Sequence, residues 1–319
     1  MKCDVIDLSS ANGTAINWNK VRAAGVGGVI LRGCVGTSRD VAVDALARGA
    51  GLAGIRVLAV YGFVLARTSI EAQARFLLEV ANKVGAENVA MDQEVDGSKH
   101  DDRGRLVIPS LAPSILADQA REWHAIGDTY RTGVRGLHYS GVSFLGMVGS
   151  FWPELRDRCT WGAHYDPAGG QPSIPNPCVE IALHQIFGNT ICQYPDGTQD
   201  YGARAVAAIA AGKARLIARP GLVDGVAGEV DVNVLRGGAS LDDLAAGRVP
   251  CIVPDLATTL GRQQALRLLG TYTRAIDAQW GAYSTAALRA AQKIVGVVVD
   301  GQWGPKTQAA IAARLATLP

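Results

Sequence analysis

The chain has 319 residues, of which 48% are hydrophobic and 19% charged, a composition typical of a packed globular protein that excludes extended disorder. The net charge of +2 gives no reason to expect nucleic-acid binding. The charge is unevenly placed, because residues 256–319 contain seven basic and two acidic side chains, while the preceding part is slightly acidic. This asymmetry predicts two modules with different tasks.

Short apolar runs alternate with helical stretches through the first part of the chain. The predicted strands cover residues 5–8, 28–32, 57–63, 88–94 and 134–139, and the predicted helices cover 18–24, 41–50, 71–84 and 112–126. The apolar runs are continuous, as expected for strands that are buried on both faces. Together these features predict an α/β fold with a TIM-like (β/α) barrel, whose chemistry lies at the carboxyl ends of its strands.

Two carboxylates, Asp92 and Glu94, end the strand predicted at 88–94. On a strand, side chains two positions apart share a face and lie about 6.6 Å apart. Burial and mutual repulsion raise the pKa of one partner, which keeps a general acid protonated near neutral pH. A solvated strand end or an ion pair is the alternative interpretation.

Two more aspartates fit the same arrangement. Asp7 lies in the first predicted strand, and Asp231 lies in residues 228–233, the candidate last strand. Parallel first and last strands would be neighbours in a closed barrel and would bring both side chains to one mouth. Four carboxylates at strand ends favour glycoside chemistry over acyl transfer, for which the sequence lacks a GxSxG motif.

Other functional classes have little support in the sequence. The apolar runs are far shorter than the roughly 20 residues of a transmembrane helix, so we expect no stable membrane insertion. The six cysteines have no CxxC spacing and the five histidines form no HExxH pattern. We therefore expect neither a metal nor another cofactor, and buried free thiols or one disulfide.

The pattern changes after residue 242. Residues 249–254 indicate a linker between two prolines, and 256–269 indicate a helix. The segment 276–281 then recurs 23 residues later, which aligns Ser284 with Thr307. Each copy predicts a tight turn followed by a helix capped by Ser or Thr. The predicted domains are a barrel at 1–248 and a small all-α module at 249–319.

Motifs in residues 1–240 resemble, in order, those of glycoside hydrolase family 25 lysozymes, the Chalaropsis-type muramidases of phages and bacteria. They include Asp7-Leu8-Ser9-Ser10, Tyr61-Gly62-Phe63, Met91-Asp92-Gln93-Glu94, Leu137-His138-Tyr139, Trp161-Gly162-Ala163-His164-Tyr165 and Val230-Asp231-Val232-Asn233. The terminal repeat resembles a peptidoglycan-binding module, most clearly at residues 300–307. A wall hydrolase joined to a wall-binding module, with no secretory signal, resembles a phage endolysin.

The resemblance implies a monomeric, cofactor-free N-acetylmuramidase that cleaves the β-1,4 bond between N-acetylmuramic acid and N-acetylglucosamine in bacterial peptidoglycan. Glu94 would be the general acid. Asp92 would stabilise an oxocarbenium-like centre or orient the acetamido group of the substrate, while Asp7 and Asp231 would tune the pKa of the site and hold the sugar. The residues expected to contact sugar are Tyr61, Phe63, Tyr139, Trp161 and Tyr165, with rim packing as the alternative, and those expected to contact the wall are Asp277, Trp280, Asp300, Trp303 and Thr307.

Some alternatives remain open at this point. The Trp-Gln-Tyr motif of the family corresponds either to Leu183-His184-Gln185 or to Cys192-Gln193-Tyr194, and a helix predicted at 201–218 precedes Asp231. The protein would be made in the cytoplasm of an infected bacterium and act on the wall after release. A catalytically silent wall-binding protein on the same barrel is the rival hypothesis.

Overall fold

The computed structural model describes residues 3–318 except 96, 101–105, 165–173, 175, 177, 179, 188–190, 194, 196–198, 202–212, 214, 219–222, 228–229 and 250–251. The strands are β1 Val5–Leu8, β2 Gly28–Val35, β3 Ser38–Arg39, β4 Arg56–Phe63, β5 Asn88–Asp92, β6 Lys99–His100, β7 Leu106–Ile108, β8 Leu137–Gly141, β9 Thr160–Ala163, β10 Leu183–Phe187, β11 Ile191–Gln193, β12 Gln199–Tyr201, β13 Arg215–Ala218 and β14 Asp231–Leu235. The α-helices are α1 Trp18–Ala23, α2 Val43–Leu52, α3 Ile70–Val84, α4 Pro113–Gly127, α5 Val142–Gly149, α6 Leu241–Ala246, α7 Thr259–Leu268, α8 Ala282–Val295 and α9 Pro305–Leu315.

Eight strands form a closed barrel, which confirms the predicted fold class. Their order around the barrel is β1, β2, β4, β5, β8, β9, β10 and β14, with β14 paired back to β1. The strands from β1 to β10 run parallel, and their backbones are buried between helices and the barrel interior. The short strand β3 extends β2 as a hairpin.

The last strand is antiparallel, so the expectation of parallel first and last strands is wrong. β14 runs antiparallel to both β1 and β10. The chain leaves β10 at the barrel mouth and enters β14 at the same end; a parallel strand would need a crossover back to the opposite end of the barrel. The first residue of β14, Asp231, therefore lies at the mouth where the parallel strands end.

Helix α3 illustrates how the sequence sets the outer layer. The Ser69 side chain accepts a hydrogen bond from the backbone N–H of Ala72 at the start of the helix. Gly85, in the left-handed conformation at φ 69°, ends the helix. Apolar side chains spaced three or four residues apart cover the barrel with one face of the helix, and they are Ile70, Ala74, Leu77 and Ala81.

The segment between β10 and β14 differs from the prediction of a helix at 201–218. Its described ends are strands, because β11 pairs with β12 on one side and with β13 on the other. The middle of the predicted helix lies outside the described residues. In the part of the chain that the structure describes, no helix combines the length and apolarity needed to cross a membrane.

The C-terminal module consists of α7, α8 and α9, with one loop of the sequence repeat before α8 and one before α9. Glycines, Gly281 and Gly304, cap these two helices, so the prediction of Ser or Thr caps is wrong. Ser284 and Thr307 lie in the first turns instead and hydrogen-bond to buried amides of the preceding helix, at 3.2 Å from Gln263 and 3.3 Å from Gln292.

The module and the barrel share one hydrophobic core. Ile174 and Ile276 exchange two backbone hydrogen bonds of 2.8 Å each. Arg267 of α7, which is 5% exposed, donates hydrogen bonds to the backbone carbonyls of Cys178, Tyr272 and Arg274. The first of these carbonyls lies in the segment that precedes β10.

Candidate active site

The barrel mouth contains a cavity of about 260 Å³, here named the acidic cavity. Ten residues line it: Asp7, Arg32, Tyr61, Phe63, Asp92, Glu94, Tyr139, Trp161, Gln185 and Asp231. They include all four predicted catalytic carboxylates and four of the five predicted sugar-contacting aromatics. The fifth, Tyr165, lies outside the described residues.

Asp7 and Asp231 face each other across the pair of strands that closes the barrel. They are direct partners in the antiparallel register of β1 and β14. Burial raises the pKa of Asp7 well above its usual value, and the charge of Asp231 raises it further. Asn233, two positions after Asp231, opposes this shift by donating a 2.9 Å hydrogen bond to Asp7 Oδ2.

Asp92 ends β5, and Glu94 follows it beyond the strand. The predicted strand through Glu94 is two residues too long, because β4 ends at Phe63, the partner of Asp92. Asp92 is 4% exposed, and its Oδ1 has no hydrogen-bond partner among the described residues. Burial, and then the charge of Glu94, raise the pKa of Asp92, while Arg32 opposes the shift.

Glu94 lies at the solvent-exposed rim of the cavity. Its carboxyl is still crowded by protein atoms, and this desolvation raises its pKa; the Tyr139 hydroxyl opposes the shift and Asp231 adds to it. Two neighbouring carboxyls with raised pKa values keep a transferable proton to higher pH than isolated carboxyls do. The pair therefore offers a proton donor beside a carboxylate.

Arg32 is the one cation among the described residues that line the acidic cavity. Its Nε donates a 2.8 Å hydrogen bond to Asp40 Oδ2, and one terminal nitrogen donates a 2.8 Å hydrogen bond to Ser10 Oγ. Burial alone would raise the pKa of Asp40, but hydrogen bonds from the backbones of Ala42 and Ser10 and from Arg32 lower it below its usual value. Asp40 therefore stays ionised and holds the guanidinium in place.

The aromatic side chains form a connected wall of the cavity. The Trp161 ring lies 4.3 Å from that of Tyr139 and 6.0 Å from that of Tyr61, between centroids. Trp161 Nε1 donates to Asn233 Oδ1 at 2.7 Å, and the Tyr139 hydroxyl donates to Gln185 Oε1 at 2.6 Å. These hydrogen bonds fix the rings that face the carboxylates.

Sequence reasoning missed Arg32 and the supporting residues Asn233 and Asp40, and it named Gln185 only within one of two alternative positions of a motif. The rule that selected the carboxylates would also have selected Arg32, since it directly follows the apolar run of β2. The sequence left two candidate positions for the Trp-Gln-Tyr motif. The structure places Gln185, from the first of them, in the acidic cavity. The side chains of 192–194, which form the second, lie outside the described residues.

The residues predicted to contact the wall occupy the two repeat loops. The carboxylates of Asp277 and Asp300 accept hydrogen bonds from Gln263 at 2.9 Å and from Gln292 at 2.7 Å. Thr307 is buried, whereas Trp280 is 37% exposed. The rings of Trp280 and Trp303 meet edge to face, with centroids 5.8 Å apart. Three of these five residues thus hold the loops, and the tryptophans present the aromatic surface.

The described residues contain no cluster of three or more His, Cys, Asp or Glu that could hold a metal ion. Among the cysteines, Cys3, Cys34, Cys159 and Cys178 are buried free thiols. The side chains of Cys192 and Cys251 lie outside the described residues.

Comparison with known families accounts for both parts of the chain. The profile of glycosyl hydrolases family 25 matches residues 6–194, which is more than half of the sequence. The chain belongs to this family. The profile of a peptidoglycan binding domain matches residues 262–311. The family 25 protein is therefore a glycoside hydrolase with a peptidoglycan-binding module.

Solved structures support the same fold. A lysozyme from Streptomyces coelicolor is 20% identical with a TM-score of 0.55, over 77% of this chain and 97% of that one. The catalytic domain of the endolysin ply40 from bacteriophage P40 of Listeria monocytogenes is 19% identical with a TM-score of 0.52, over 77% and 98%. A family 25 glycosyl hydrolase from Bacillus anthracis is 12% identical with a TM-score of 0.51, over 78% and 94%. No curated protein sequence matches the chain.

Proposed function

We propose that this family 25 protein is an N-acetylmuramidase that cleaves the β-1,4 bond between N-acetylmuramic acid and N-acetylglucosamine in peptidoglycan. The observation that carries the proposal is the convergence of Asp7, Asp92, Glu94 and Asp231 on one cavity at the mouth of the barrel. Aromatic rings beside carboxylates suit a sugar that develops positive charge during cleavage. The peptidoglycan-binding module favours the bacterial wall as the source of that sugar.

Glu94 is the proposed general acid. Its position at the rim lets it reach the oxygen that links two sugars, and its raised pKa keeps the carboxyl protonated to higher pH than that of an exposed glutamate. Bound substrate would displace water around the carboxyl and favour its protonated form further.

Asp92 is the proposed partner of Glu94. Its buried Oδ1 has no hydrogen-bond partner among the described residues, so a donor on the substrate would satisfy it. The acetamido N–H of an N-acetylated sugar is such a donor, and a carboxylate at this position would also stabilise an oxocarbenium-like centre. Asp7 and Asp231 would hold the sugar and tune the charge of the cavity.

The proposal extends to the biological setting. The ply40 protein, similar in fold, is named as a phage endolysin. We place this chain in the same role: made in the cytoplasm of an infected bacterium, it acts as a monomer on the wall after release.

Digestion of purified peptidoglycan, followed by mass spectrometry of the new reducing ends, tests the proposed bond. We expect N-acetylmuramic acid at the reducing ends. Reducing N-acetylglucosamine would identify a glucosaminidase instead, and binding to walls without any new reducing ends would identify the silent wall-binding protein.

A further inference from the structure

Glu94 lies on the border between two cavities. A second cavity of about 550 Å³, here named the side cavity, shares Glu94 with the acidic cavity. The other described residues that line it are Val95, Ser98, Ser143, Phe144 and Met147. It is about twice as large as the acidic cavity, so the proposed acid lies between two compartments of different size.

Two segments of the fold contribute to both cavities. The end of β5 and the residues after it supply Asp92 to the acidic cavity and Val95 to the side cavity. Strand β8, which carries Tyr139 into the acidic cavity, continues without a loop into α5. The first turns of α5 place Ser143 and Met147, four residues apart, on one helix face. The two cavities are therefore neighbours at the carboxyl ends of β5 and β8.

The two cavities differ sharply in charge. Four carboxylates line the acidic cavity, whereas Glu94 is the one charged side chain among the described residues of the side cavity. In glycoside cleavage, positive charge develops on the sugar that donates its anomeric carbon, while the leaving sugar stays neutral once its oxygen is protonated. The carboxylates therefore belong with the first sugar, and a neutral compartment suits the second.

We propose that the side cavity binds the leaving-group side of the glycan, a neutral N-acetylated sugar joined to the cleaved bond. This inference rests on the proposed function. Phe144 and Met147 offer apolar surface to the carbon–hydrogen face and acetamido methyl of that sugar, and the serines offer hydroxyl groups for its polar edge. The glycan would then cross the barrel mouth with its reducing end towards α5.

Variants at two positions of α5 test this assignment. Phe144→Ala removes the apolar wall, and Ser143→Glu adds charge and bulk at an exposed second position of the helix, where an acidic residue favours folding. The controls are Phe151→Ala, an exposed phenylalanine just beyond α5, and Ser114→Glu, at the exposed second position of α4.

The readouts are KM for a soluble tetrasaccharide of alternating N-acetylglucosamine and N-acetylmuramic acid, and KM for the glycosyl fluoride of the disaccharide, whose leaving group is a single atom and has no sugar to place in the side cavity. We expect both α5 variants to raise KM for the tetrasaccharide by about tenfold, which corresponds to roughly 1.4 kcal/mol, with KM for the fluoride unchanged. Unchanged KM for the tetrasaccharide, or an equal rise in KM for the fluoride, would overturn the assignment. If the parent enzyme itself does not cleave the tetrasaccharide, the proposed function fails instead.

Discussion

The Nε of Arg32, which lines the acidic cavity, donates a 2.8 Å hydrogen bond to the almost fully buried carboxylate of Asp40. A second Arg–Asp pair lies close by in sequence, where Arg39 donates two hydrogen bonds to Asp44 at 2.9 and 3.2 Å. The two arginine side chains are equally exposed, at 26% and 27%, but only Arg32 lines the cavity. Arg39 therefore serves as the control for the effect of the positive charge of Arg32, because it forms a similar ion pair without lining the cavity.

We expect Arg32→Gln to move the acidic limb of the kcat/KM–pH profile to higher pH by about one unit. The positive charge of Arg32 lowers the pKa of Asp92, so its loss leaves Asp92 protonated over a wider pH range. Arg32→Lys keeps the positive charge and should restore part of the shift.

The same profile measured on Arg39→Gln is the matched control and should coincide with that of the parent. A purely structural role of the Arg32–Asp40 pair would lower activity equally at all pH values, and such a result would refute the electrostatic role.

Glu94→Gln should lower wall lysis about 10²-fold or more, because it removes the transferable proton while keeping the size of the side chain. The thermal stability of the variant should equal or slightly exceed that of the parent, since the repulsion from Asp92 and Asp231 is relieved.

Asp92→Asn should also lose activity. Glu71→Gln, at an exposed carboxylate of α3 that pairs with Arg75, should behave like the parent. Lysis by Glu94→Gln at close to the parental rate would refute the catalytic assignment.

Acid should destabilise the fold through a buried histidine pair. His124 Nε2 lies 3.2 Å from His138 Nδ1, both side chains are fully buried, and the nearby charges of Arg135 and Arg158 are also positive. Burial is the main cause that lowers both pKa values, and it lowers that of His138 to about 3. The unfolded chain therefore binds more protons than the folded one below about pH 6.5, and stability falls as the pH falls towards 3.

His138→Asn keeps a polar group at the Nδ1 position but cannot take up this proton. Urea unfolding between pH 6 and pH 4 should show that the variant loses about 2 kcal/mol less stability on acidification than the parent, although it starts from a lower value. Equal losses in both proteins would show that another group controls the acid sensitivity.

The shared core predicts that the barrel and the C-terminal module unfold together. Arg267→Met keeps much of the side-chain volume but leaves three backbone carbonyls without their donor, so we expect the free energy of unfolding of the full chain to fall by about 2–4 kcal/mol. Arg274→Met removes a guanidinium that lies over the Tyr283 ring at the surface and should cost less than 1 kcal/mol. Differential scanning calorimetry should show a single transition for the parent, whereas two separate transitions would favour independent modules on either side of residue 249.

The sequence was sufficient to select most of the candidate site. Asp7 and Asp92 were found because each lies at the end of a continuous apolar run, and in a barrel of parallel strands such ends meet at one mouth. The bounds of the strands were less accurate. The predicted strand through Glu94 is too long, and the two described ends of the helix predicted at 201–218 are strands, because strand pairing with a neighbour decides where a strand ends and outweighs local propensity.

The repeat shows the same limit on a smaller scale. Ser284 and Thr307 occupy equivalent positions in the two copies of the repeat, as their alignment predicts. Neither is a helix cap, although the sequence predicts that both are. In the structure they hydrogen-bond to Gln263 and Gln292, which lie on the preceding helices. A cap depends on residues nearby in the chain, whereas these contacts depend on how two helices pack.

The sequence by itself thus determined the barrel class, the four carboxylates and the presence of a second module, because periodicity and strand-end chemistry are local patterns. Tertiary structure decided the direction of the last strand, the pairing of Arg32 with Asp40, and the position of Glu94 between two cavities. The direction of the last strand is the clearest case, because closure of the barrel brings Asn233 within hydrogen-bond distance of Asp7 across 226 positions of the chain. No pattern within either segment encodes that contact, since it arises only when all eight strands pair in register.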